Sequence, residues 1–245
     1  MAKTNLKILG IIGARSGSKS IPDKNIKLLS GQPLMSWIVS AARSSKYINR
    51  LIVSTDSEKY AAIGRKFGAE TPFLRPAEIA GDKATDFQYV SHALDWLKEN
   101  ENYVPDIVVR LMPTVPLQKS EDIDACVENL IADPSAHSSV VVAEAGQHPH
   151  KAMKIVVDAG KDYLVGYFTG HPKDVEPTFR QGYEKAYFRA NVVASRVWVV
   201  NNLKSLVGEK ARCHVISQER AIDIDSPVDF FLAEKLMEYY SDKKS

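Results

Sequence analysis

Leu6-Lys-Ile-Leu-Gly-Ile-Ile12 is the stretch of this sequence that decides the fold. A short apolar run rich in β-branched residues is typical of a strand that is buried on both faces of a parallel sheet. A polar loop follows over 13–31, and apolar residues at helical spacing follow over 33–43, where Pro33 suits the first turn of a helix. The first segment is therefore predicted to be a strand, a loop and a helix, in that order.

Strand and helix alternate in the same way as far as about residue 143. Apolar runs predict strands over 50–55, 106–111 and 139–143. Periodic stretches predict the intervening helices over 57–67, 86–99 and 120–132. This alternation predicts a doubly wound, mostly parallel α/β sheet of the Rossmann-like type with right-handed crossovers. Ligands of such sheets bind beyond the carboxyl ends of the strands, so the loops there are the first candidates for a site.

The alternation stops between about 147 and 191. This stretch carries several prolines, aromatics and basic residues, and it is too long for a plain connection. We therefore expect a single domain over 1–245 that contains an extended strand-and-loop insertion at 147–191. Beyond the insertion, strands are predicted over 192–200, 214–218 and 221–225, followed by a last helix over 227–240.

The composition is that of an ordinary globular protein, with 44% hydrophobic and 25% charged residues and a formal net charge of +2. So small an excess gives no indication of a nucleic-acid partner. Cys126 and Cys213 have neither metal-type nor C-x-x-C spacing, which favours two buried thiols in a reducing compartment. The first apolar run is too short to span a membrane and lacks a signal-peptide profile. We therefore expect a cytoplasmic protein without a membrane partner.

The loop after the first strand reads Gly13-Ala-Arg-Ser-Gly-Ser-Lys-Ser-Ile-Pro-Asp-Lys-Asn25 and has the composition of a phosphate site. Gly17 allows the backbone to approach an anion closely, and successive N–H groups can form an anion-binding nest. Arg15, Lys19 and Lys24 supply positive charge, and an arginine can bind phosphate with two hydrogen bonds. The loop matches neither G-x-x-x-x-G-K-[ST] nor G-x-G-x-x-G. It therefore predicts polyanion binding without specifying the anion.

Two carboxylates stand close together in Ile222-Asp-Ile-Asp225. In the strand predicted there, Asp223 and Asp225 would point to one side, because residues two apart share a face. Like charges at that spacing are costly unless a cation lies between them. Mg²⁺ is commonly bound by one or two carboxylates together with substrate phosphates, so we expect a magnesium site. A strand end with two solvated acids is the alternative.

Polar and basic residues in and around the insertion form a third candidate group for an anionic substrate. Taken singly, each of them is more often an ordinary surface residue. His148 and His150 have no partner cluster, which favours loop residues over metal ligands. The members of the group are Gln147, His148, Lys151, Arg180, Arg189 and Asn191.

Seven segments in this order resemble the acylneuraminate cytidylyltransferases, or CMP-sialic acid synthetases, over nearly the whole chain. Arg15-Ser-Gly-Ser-Lys19 with Lys24-Asn25 matches the most specific family motif, R-x-G-S-K…K-N. The other matches are Ile52-Val-Ser-Thr-Asp56, Leu74-Arg-Pro-Ala-Glu78 with Asp82, Pro113-Thr-Val-Pro-Leu117, His148-Pro with Lys151, Phe188-Arg-Ala-Asn191, and Ile222-Asp-Ile-Asp225 with Asp229.

The resemblance implies transfer of CMP from CTP to the anomeric hydroxyl of a nonulosonic acid, with release of pyrophosphate. It implies that Arg15, Lys19 and Asp225 act in catalysis and that Asp223 and Asp225 bind Mg²⁺. The residues implied to bind the nucleotide are Ala14, Arg15, Ser16, Gly17, Ser18, Lys24, Asn25, Arg75 and Thr85, with Arg75 near the cytosine. Those implied to face the sugar are Met112, Gln147, Lys151, Arg180, Arg189 and Asn191.

The insertion resembles the dimerisation arm of that family, which implies a homodimer with shared active sites. The chain departs from the family on the sugar side. Met112 stands where many members carry Gln, Gln118 where many carry Arg, and Ala190 and Val192 flank Asn191 in place of Pro and Gly. The acceptor is therefore open among N-acetylneuraminic acid, legionaminic and pseudaminic types, and other eight- or nine-carbon 2-keto acids. Two alternatives are a CMP-Kdo-type synthetase, disfavoured because its loop typically carries R-L-P after the Ser, and a catalytically silent nucleotide-binding homologue.

Overall fold

The computed structural model describes residues 5–171 and 183–242. The strands within these ranges are β1 (Ile8–Gly13), β2 (Leu28–Leu29), β3 (Gln32–Pro33), β4 (Arg50–Ser54), β5 (Ile107–Leu111), β6 (Ser138–Glu144), β7 (Met153–Asp158), β8 (Lys161–Gly166), β9 (Tyr187–Arg196) and β10 (Ala211–Ile216). The α-helices are α1 (Leu34–Arg43), α2 (Glu58–Lys66), α3 (Asp86–Glu101), α4 (Ser120–Ala132), α5 (Val197–Leu203) and α6 (Pro227–Asp242).

Within the described residues, six strands form the main sheet in the order β10-β6-β9-β5-β1-β4. The pairs β1–β4, β1–β5 and β6–β10 are parallel. Strand β9 runs antiparallel to both of its neighbours, β5 and β6. The sheet is therefore mixed and mostly parallel, as the alternation of strand and helix predicted.

Helices cover both faces of this sheet. Helices α1, α2 and α4 supply Ile38, Tyr60 and Ile123 to the apolar core on one face. Helices α3 and α5 supply Leu97 and Val200 to the core on the other face. Strand β1 contributes to both cores, which explains why its sequence is an uninterrupted apolar run. The prediction of a doubly wound sandwich is thus confirmed. Of the two thiols expected to be buried, Cys126 lies in the first core, whereas Cys213 is exposed because it lies on β10 at the edge of the sheet.

Two predicted strands near the C-terminus were wrong. The strand expected over 192–200 is instead the second half of β9 followed by α5, because an apolar run does not distinguish a buried strand from a buried helix. In the segment 221–225, Ala221 ends a 3-10 helix and residues 222–225 form a loop outside the sheet. A hydrogen bond from Ile224 N to the Thr114 carbonyl at 2.8 Å ties the backbone of this loop to the segment after β5.

The insertion is also shorter than predicted, since 187–191 belong to β9 of the main sheet. Its first part forms a two-stranded antiparallel sheet of β7 and β8, in which Ile155 faces Leu164 across the pair. All residues of β7 and the first four of β8 are exposed, whereas Val165 is buried; Ile155 is 68% exposed and Val157 72% exposed. The hairpin therefore presents an apolar surface outside the main core.

Candidate active site

A cavity of about 560 Å³ opens at the carboxyl ends of β1 and β5. Its position is the one expected for the ligand of a doubly wound sheet. Residues from six parts of the chain form its walls, namely the loop after β1, the loop before α3, the first turn of α3, the segment after β5, strand β9 and the segment before α6. They are Gly13, Arg15, Ser18, Lys19, Ser20, Lys24, Asn25, Arg75, Asp82, Ala84, Asp86, Tyr89, Met112, Pro113, Thr114, Asn191, Asp223 and Asp225.

The loop after β1 is held in shape by neighbouring polar groups. Asp56 accepts hydrogen bonds from the backbone N–H of Ser16 at 2.7 Å and from its hydroxyl at 2.6 Å. Burial raises the pKa of Asp56, but the two Ser16 hydrogen bonds outweigh it and hold the pKa below its usual value. Asn25 donates from Nδ2 to the Arg15 carbonyl at 2.9 Å, and Gly17 has a φ of 74°. These hydrogen bonds therefore fix the conformation of the loop on the side that lines the cavity.

Two cations of this loop share a single carboxylate. Asp82 contacts Arg15 Nη2 at 3.0 Å and also pairs with Lys19 Nζ. These contacts, above all the hydrogen bond from Lys19, hold the pKa of Asp82 below its usual value. Both cations remain accessible, because the Lys19 side chain is 82% exposed and that of Arg15 35% exposed. A polyphosphate entering the cavity can therefore compete with Asp82 for both of them.

Lys24 connects the loop to the distant acidic segment. Its Nζ donates to the Ile224 carbonyl at 2.6 Å and to Asp225 Oδ1 at 3.0 Å. The Lys24 side chain is only 12% exposed, whereas that of Asp225 is 77% exposed. Ile224 is fully buried beside α6, so the chain on either side of it places Asp223 and Asp225 on the cavity. The two carboxylates thus share the cavity although no strand forms there.

Asn191 reaches the same acidic segment from strand β9. The register between β6 and β9 shifts between Val140 and Val142, which marks an irregularity beside Asn191. Asn191 itself has a φ of 59°, a left-handed conformation that asparagine tolerates better than most residues. Irregularities of this kind re-aim side chains. The Asn191 amide consequently donates to Asp223 Oδ2.

The donor set around Asp223 fits a magnesium ion. Asp223 Oδ1 is buried and accepts no hydrogen bond from the described residues. Burial raises the pKa of Asp223 above its usual value although the neighbouring Thr114 hydroxyl acts in the opposite direction, and the nearby charge of Asp225 adds to the rise. A divalent cation would use the vacant lone pairs of Oδ1 and offset the repulsion between the carboxylates. Within the described residues, no group of three or more His, Cys, Asp or Glu side chains is placed so that it could hold a metal ion by itself, so phosphate oxygens and water would have to complete the coordination.

Arg75 and Tyr89 form the opposite end of the cavity. Arg75 is 5% exposed and donates to the Ser54 carbonyl at 2.6 Å and to the Ser54 hydroxyl at 3.1 Å. Its guanidinium carbon lies 4.5 Å from the centre of the Tyr89 ring, a cation–π geometry. Burial lowers the pKa of Arg75. Arg75 is therefore a fixed positive group in the wall of the cavity.

The structure brings many, but not all, of the candidate residues of the sequence together. Those that line the cavity are Arg15, Ser18, Lys19, Lys24, Asn25, Arg75, Met112, Asn191, Asp223 and Asp225. Ala14 is fully buried, and Ser16 is directed to Asp56. Thr85 caps α3, accepting from Gln88 N and forming a capping box with Gln88. Gln147, Lys151 and Arg189 lie outside the cavity lining, and Arg180 lies outside the described residues.

Several cavity residues were missed by sequence reasoning. Asp82 was noted only as part of a matching segment, and Asp86, Tyr89 and Thr114 were not singled out. Asp86 and Tyr89 are three residues apart on α3, so helical spacing would have placed them on one face. Nothing in the local sequence indicates which face of that helix meets the cavity.

No helix in the described part of the chain combines the length and the apolar character needed to cross a membrane.

Comparison with known proteins identifies the family. Residues 9–244 match the family model described as cytidylyltransferase. The chain is 31% identical over 236 residues to the N-acylneuraminate cytidylyltransferase of Escherichia coli, covering 93% of this chain and 51% of that protein. It is also 31% identical over 237 residues to the CMP-N,N'-diacetyllegionaminic acid synthase of Legionella pneumophila, covering 95% of this chain and 97% of that protein.

The chain therefore spans about half the length of the E. coli relative and nearly the full length of the Legionella relative. Among solved structures, a CMP:2-keto-3-deoxy-manno-octonic acid synthetase complexed with CTP superposes with a TM-score of 0.69. That match covers 96% of this chain and 99% of the other at 15% identity, so it supports the fold alone. Together with the family model and the two relatives, the geometry of the cavity leads to one conclusion: this chain belongs to the cytidylyltransferase family.

Proposed function

We propose that this protein transfers CMP from CTP to the anomeric hydroxyl of a nonulosonic acid and releases pyrophosphate. The observation that carries the proposal is that one cavity holds both a basic loop for phosphates and a pair of carboxylates for a metal, joined by the contact between Lys24 and Asp225. The names of the two curated relatives, which describe CMP transfer to acylneuraminic and diacetyllegionaminic acids, support the same reaction.

The loop residues are proposed to hold and polarise the triphosphate. Arg15 and Lys19 exchange Asp82 for phosphate oxygens and stabilise the charge that develops on the pyrophosphate as it leaves. Lys24 stays anchored by the Ile224 carbonyl, so its ammonium is fixed at the junction between phosphates and carboxylates. Arg75 binds the nucleotide at the other end of the cavity. Most of the rate enhancement then comes from positioning and electrostatics, as in other displacements at phosphorus.

Asp223 and Asp225 are proposed to hold Mg²⁺, which when bound supplies Lewis acidity and orients the phosphates. The Asn191 amide fixes the orientation of Asp223, so that Oδ1 is directed away from this hydrogen bond and is available to the ion. Because nucleoside triphosphates are the proposed substrates, we expect the reaction to take place in the cytoplasm.

The acceptor is proposed to enter beside Met112 and Asn191. Met112 replaces a hydrogen-bonding amide with a thioether, and its sulfur lies 3.9 Å from the Tyr89 hydroxyl. This wall of the cavity therefore offers fewer polar contacts to a sugar hydroxyl than a glutamine would. Such a wall favours a sugar acid whose carbon facing Met112 is deoxygenated or carries an acylated substituent in place of a free hydroxyl, such as the legionaminic type.

The homodimer is proposed on the surface of the β7–β8 hairpin. Met153, Ile155, Val157 and Leu164 share one side of this two-stranded sheet and are 40–72% exposed. An exposed apolar face of this kind on a small hairpin is typical of an interaction surface. Size-exclusion chromatography with light scattering tests this surface. We expect a dimer for the wild type, a monomer for the double variant Ile155→Asp/Val157→Asp, and a dimer for the control Lys154→Glu on the other side of the same strand.

The reaction is tested by pyrophosphate release with CTP, Mg²⁺ and a panel of 2-keto sugar acids, followed by mass spectrometry of the CMP-sugar. We expect turnover with at least one nonulosonic acid. Turnover with 2-keto-3-deoxy-manno-octonic acid alone would favour the related synthetase instead. CTP binding without pyrophosphate release for any acceptor would identify a silent nucleotide-binding homologue.

A further inference from the structure

Arg110 is a buried arginine that none of the roles described so far uses. It lies on β5 between Val109 and Leu111, which face the core formed with α1 and α4, so Arg110 faces the opposite side, toward α3. The residue is 4% exposed. Its Nε and Nη1 make no hydrogen bond with the described residues. A guanidinium in such surroundings is costly unless an anion pairs with it.

Asp86 is the anion that pairs with Arg110. Its Oδ2 lies 3.4 Å from Arg110 Nη1, and its side chain is 40% exposed and lines the cavity. Asp86 is the first residue of α3, where the helix dipole also favours a negative charge. Within the described residues, no hydrogen bond occupies Asp86 Oδ1. Arg110 thus lies behind a carboxylate whose free oxygen is available to a ligand.

The position of Asp86 selects the part of the nucleotide that it can contact. Arg75 is bound to Ser54 on β4 and stacks on Tyr89, which lies one turn after Asp86 on α3. Asp223 is bound to Asn191 on β9, and in the sheet β1 lies between β4 and β9. The phosphate loop, which carries Arg15 and Lys24, therefore lies between the two ends. With the phosphates on this loop and the metal at Asp223, the base extends toward Arg75 and Asp86.

We propose that Asp86 accepts a hydrogen bond from the exocyclic amino group of cytosine and that Arg110 is the positioning residue that holds Asp86 for this contact. A carboxylate is suited to this group, because the 4-amino group of cytosine is a donor whereas O4 of uracil is an acceptor. An ionised Asp86 therefore attracts CTP and repels UTP. The inference rests on the proposed function, since it assigns the base-reading contact of the same cavity.

Isothermal titration calorimetry with CTP, UTP and dCTP in the presence of Mg²⁺ tests Asp86 without requiring the sugar acid. In Asp86→Asn the side chain keeps its size, but its amide can donate to uracil O4. We expect the ratio of CTP affinity to UTP affinity to fall about tenfold or more, the effect of one base-reading hydrogen bond. An unchanged ratio in the folded variant would overturn the proposal. A changed ratio of CTP to dCTP affinity with an unchanged ratio of CTP to UTP affinity would instead place Asp86 at the ribose and overturn it equally.

The role of Arg110 is tested by two substitutions. Arg110→Met removes the charge and should lose most of the discrimination between CTP and UTP, whereas Arg110→Lys should restore most of it. The control is Arg196→Lys, because Arg196 is also partly buried but donates to the carbonyls of Ala136 and Leu130, away from the cavity. A folded Arg110→Met with wild-type discrimination would reject the positioning role, and if that variant does not fold, Asp86→Asn still decides the base contact. Failure of the wild type to bind CTP would count against the proposed function rather than against this pair alone.

Discussion

Lys24 and Asp225 lie 201 positions apart in the sequence, and Lys24 Nζ donates to Asp225 Oδ1 over 3.0 Å. The contact joins the first loop of the chain to the segment that precedes its last helix. The Lys24 ammonium is nearly buried and also binds the Ile224 carbonyl, so it holds this acidic segment against the cavity. We therefore expect the proposed phosphate and metal sites to be coupled through this one side chain.

Asp225→Asn is expected to lower kcat for pyrophosphate release at least 100-fold while leaving the protein folded. The loss follows from removing one of two proposed metal ligands, and removal of a single electrostatic stabiliser has effects of about this size in other enzymes. The fold should tolerate the change, because the Asp225 side chain is 77% exposed. Asp95→Asn, on the exposed side of α3, serves as the control and should keep wild-type rates. Unaltered kinetics in Asp225→Asn would remove the metal assignment.

Lys19→Ala is expected to reduce kcat roughly 100-fold without changing the preference among sugar acids. Lys19 is 82% exposed and contacts the Asp82 carboxylate, so its contribution is to the departing phosphates rather than to the acceptor. Competition between two acceptors, read by mass spectrometry of the CMP products, measures the preference. Lys98→Ala removes a comparable exposed charge from α3 and should be silent. A shift in acceptor preference would place Lys19 at the sugar.

Asp56→Asn is expected to lower the melting temperature at pH 7 by roughly 3–6 °C, equivalent to about 1–2 kcal/mol for hydrogen bonds to a charged group in a chain of this length. The pKa of Asp56 is held below its usual value. The carboxylate therefore contributes stability above the unfolded pKa of about 4, and this contribution is lost as the pH falls through the folded pKa. Thermal unfolding of both proteins between pH 3 and 8 should show the difference shrinking below about pH 4. A difference independent of pH would mean that the charge of Asp56 contributes nothing.

Gly13→Ala is expected to destabilise the protein by about 1–3 kcal/mol, as overpacking in a core does, and to weaken CTP binding. A Cβ on Gly13 would lie 2.5 Å from Cζ of Tyr89, a buried ring that stacks on Arg75. Gly81→Ala is the matched control, because a Cβ there meets no atom within 4 Å. Thermal unfolding and calorimetry with CTP measure both effects. Equal stability of the two variants would show that the Tyr89 ring moves freely.

The local sequence was sufficient for most of the sheet and helices. The bounds of α4 were predicted without error, and those of α1 and β4 within one residue. The buried face of such an element shows in the local sequence, because its apolar residues recur at the helical or strand period. The prediction over 192–200 was wrong because both β9 and α5 are buried there, and burial removes the alternation that would separate strand from helix.

For the candidate site, too, some features follow from the local sequence and others only from the tertiary structure. The sequence by itself predicted the loop over 13–25 as a phosphate site, because glycine, hydroxyl and basic residues directly after a buried strand indicate anion binding without any distant partner. It also predicted that Asp223 and Asp225 lie together, and both line the cavity, although the predicted strand does not form there. Only the tertiary structure decided that Asn191 contacts Asp223, that Lys24 contacts Asp225, and that Arg110 lies behind Asp86. These pairs are 32, 201 and 24 residues apart in the sequence, respectively. Whether they come into contact depends on the order of the strands in the sheet and on the local irregularity in β9. Neither of these features can be read from the hydrophobic periodicity of the sequence.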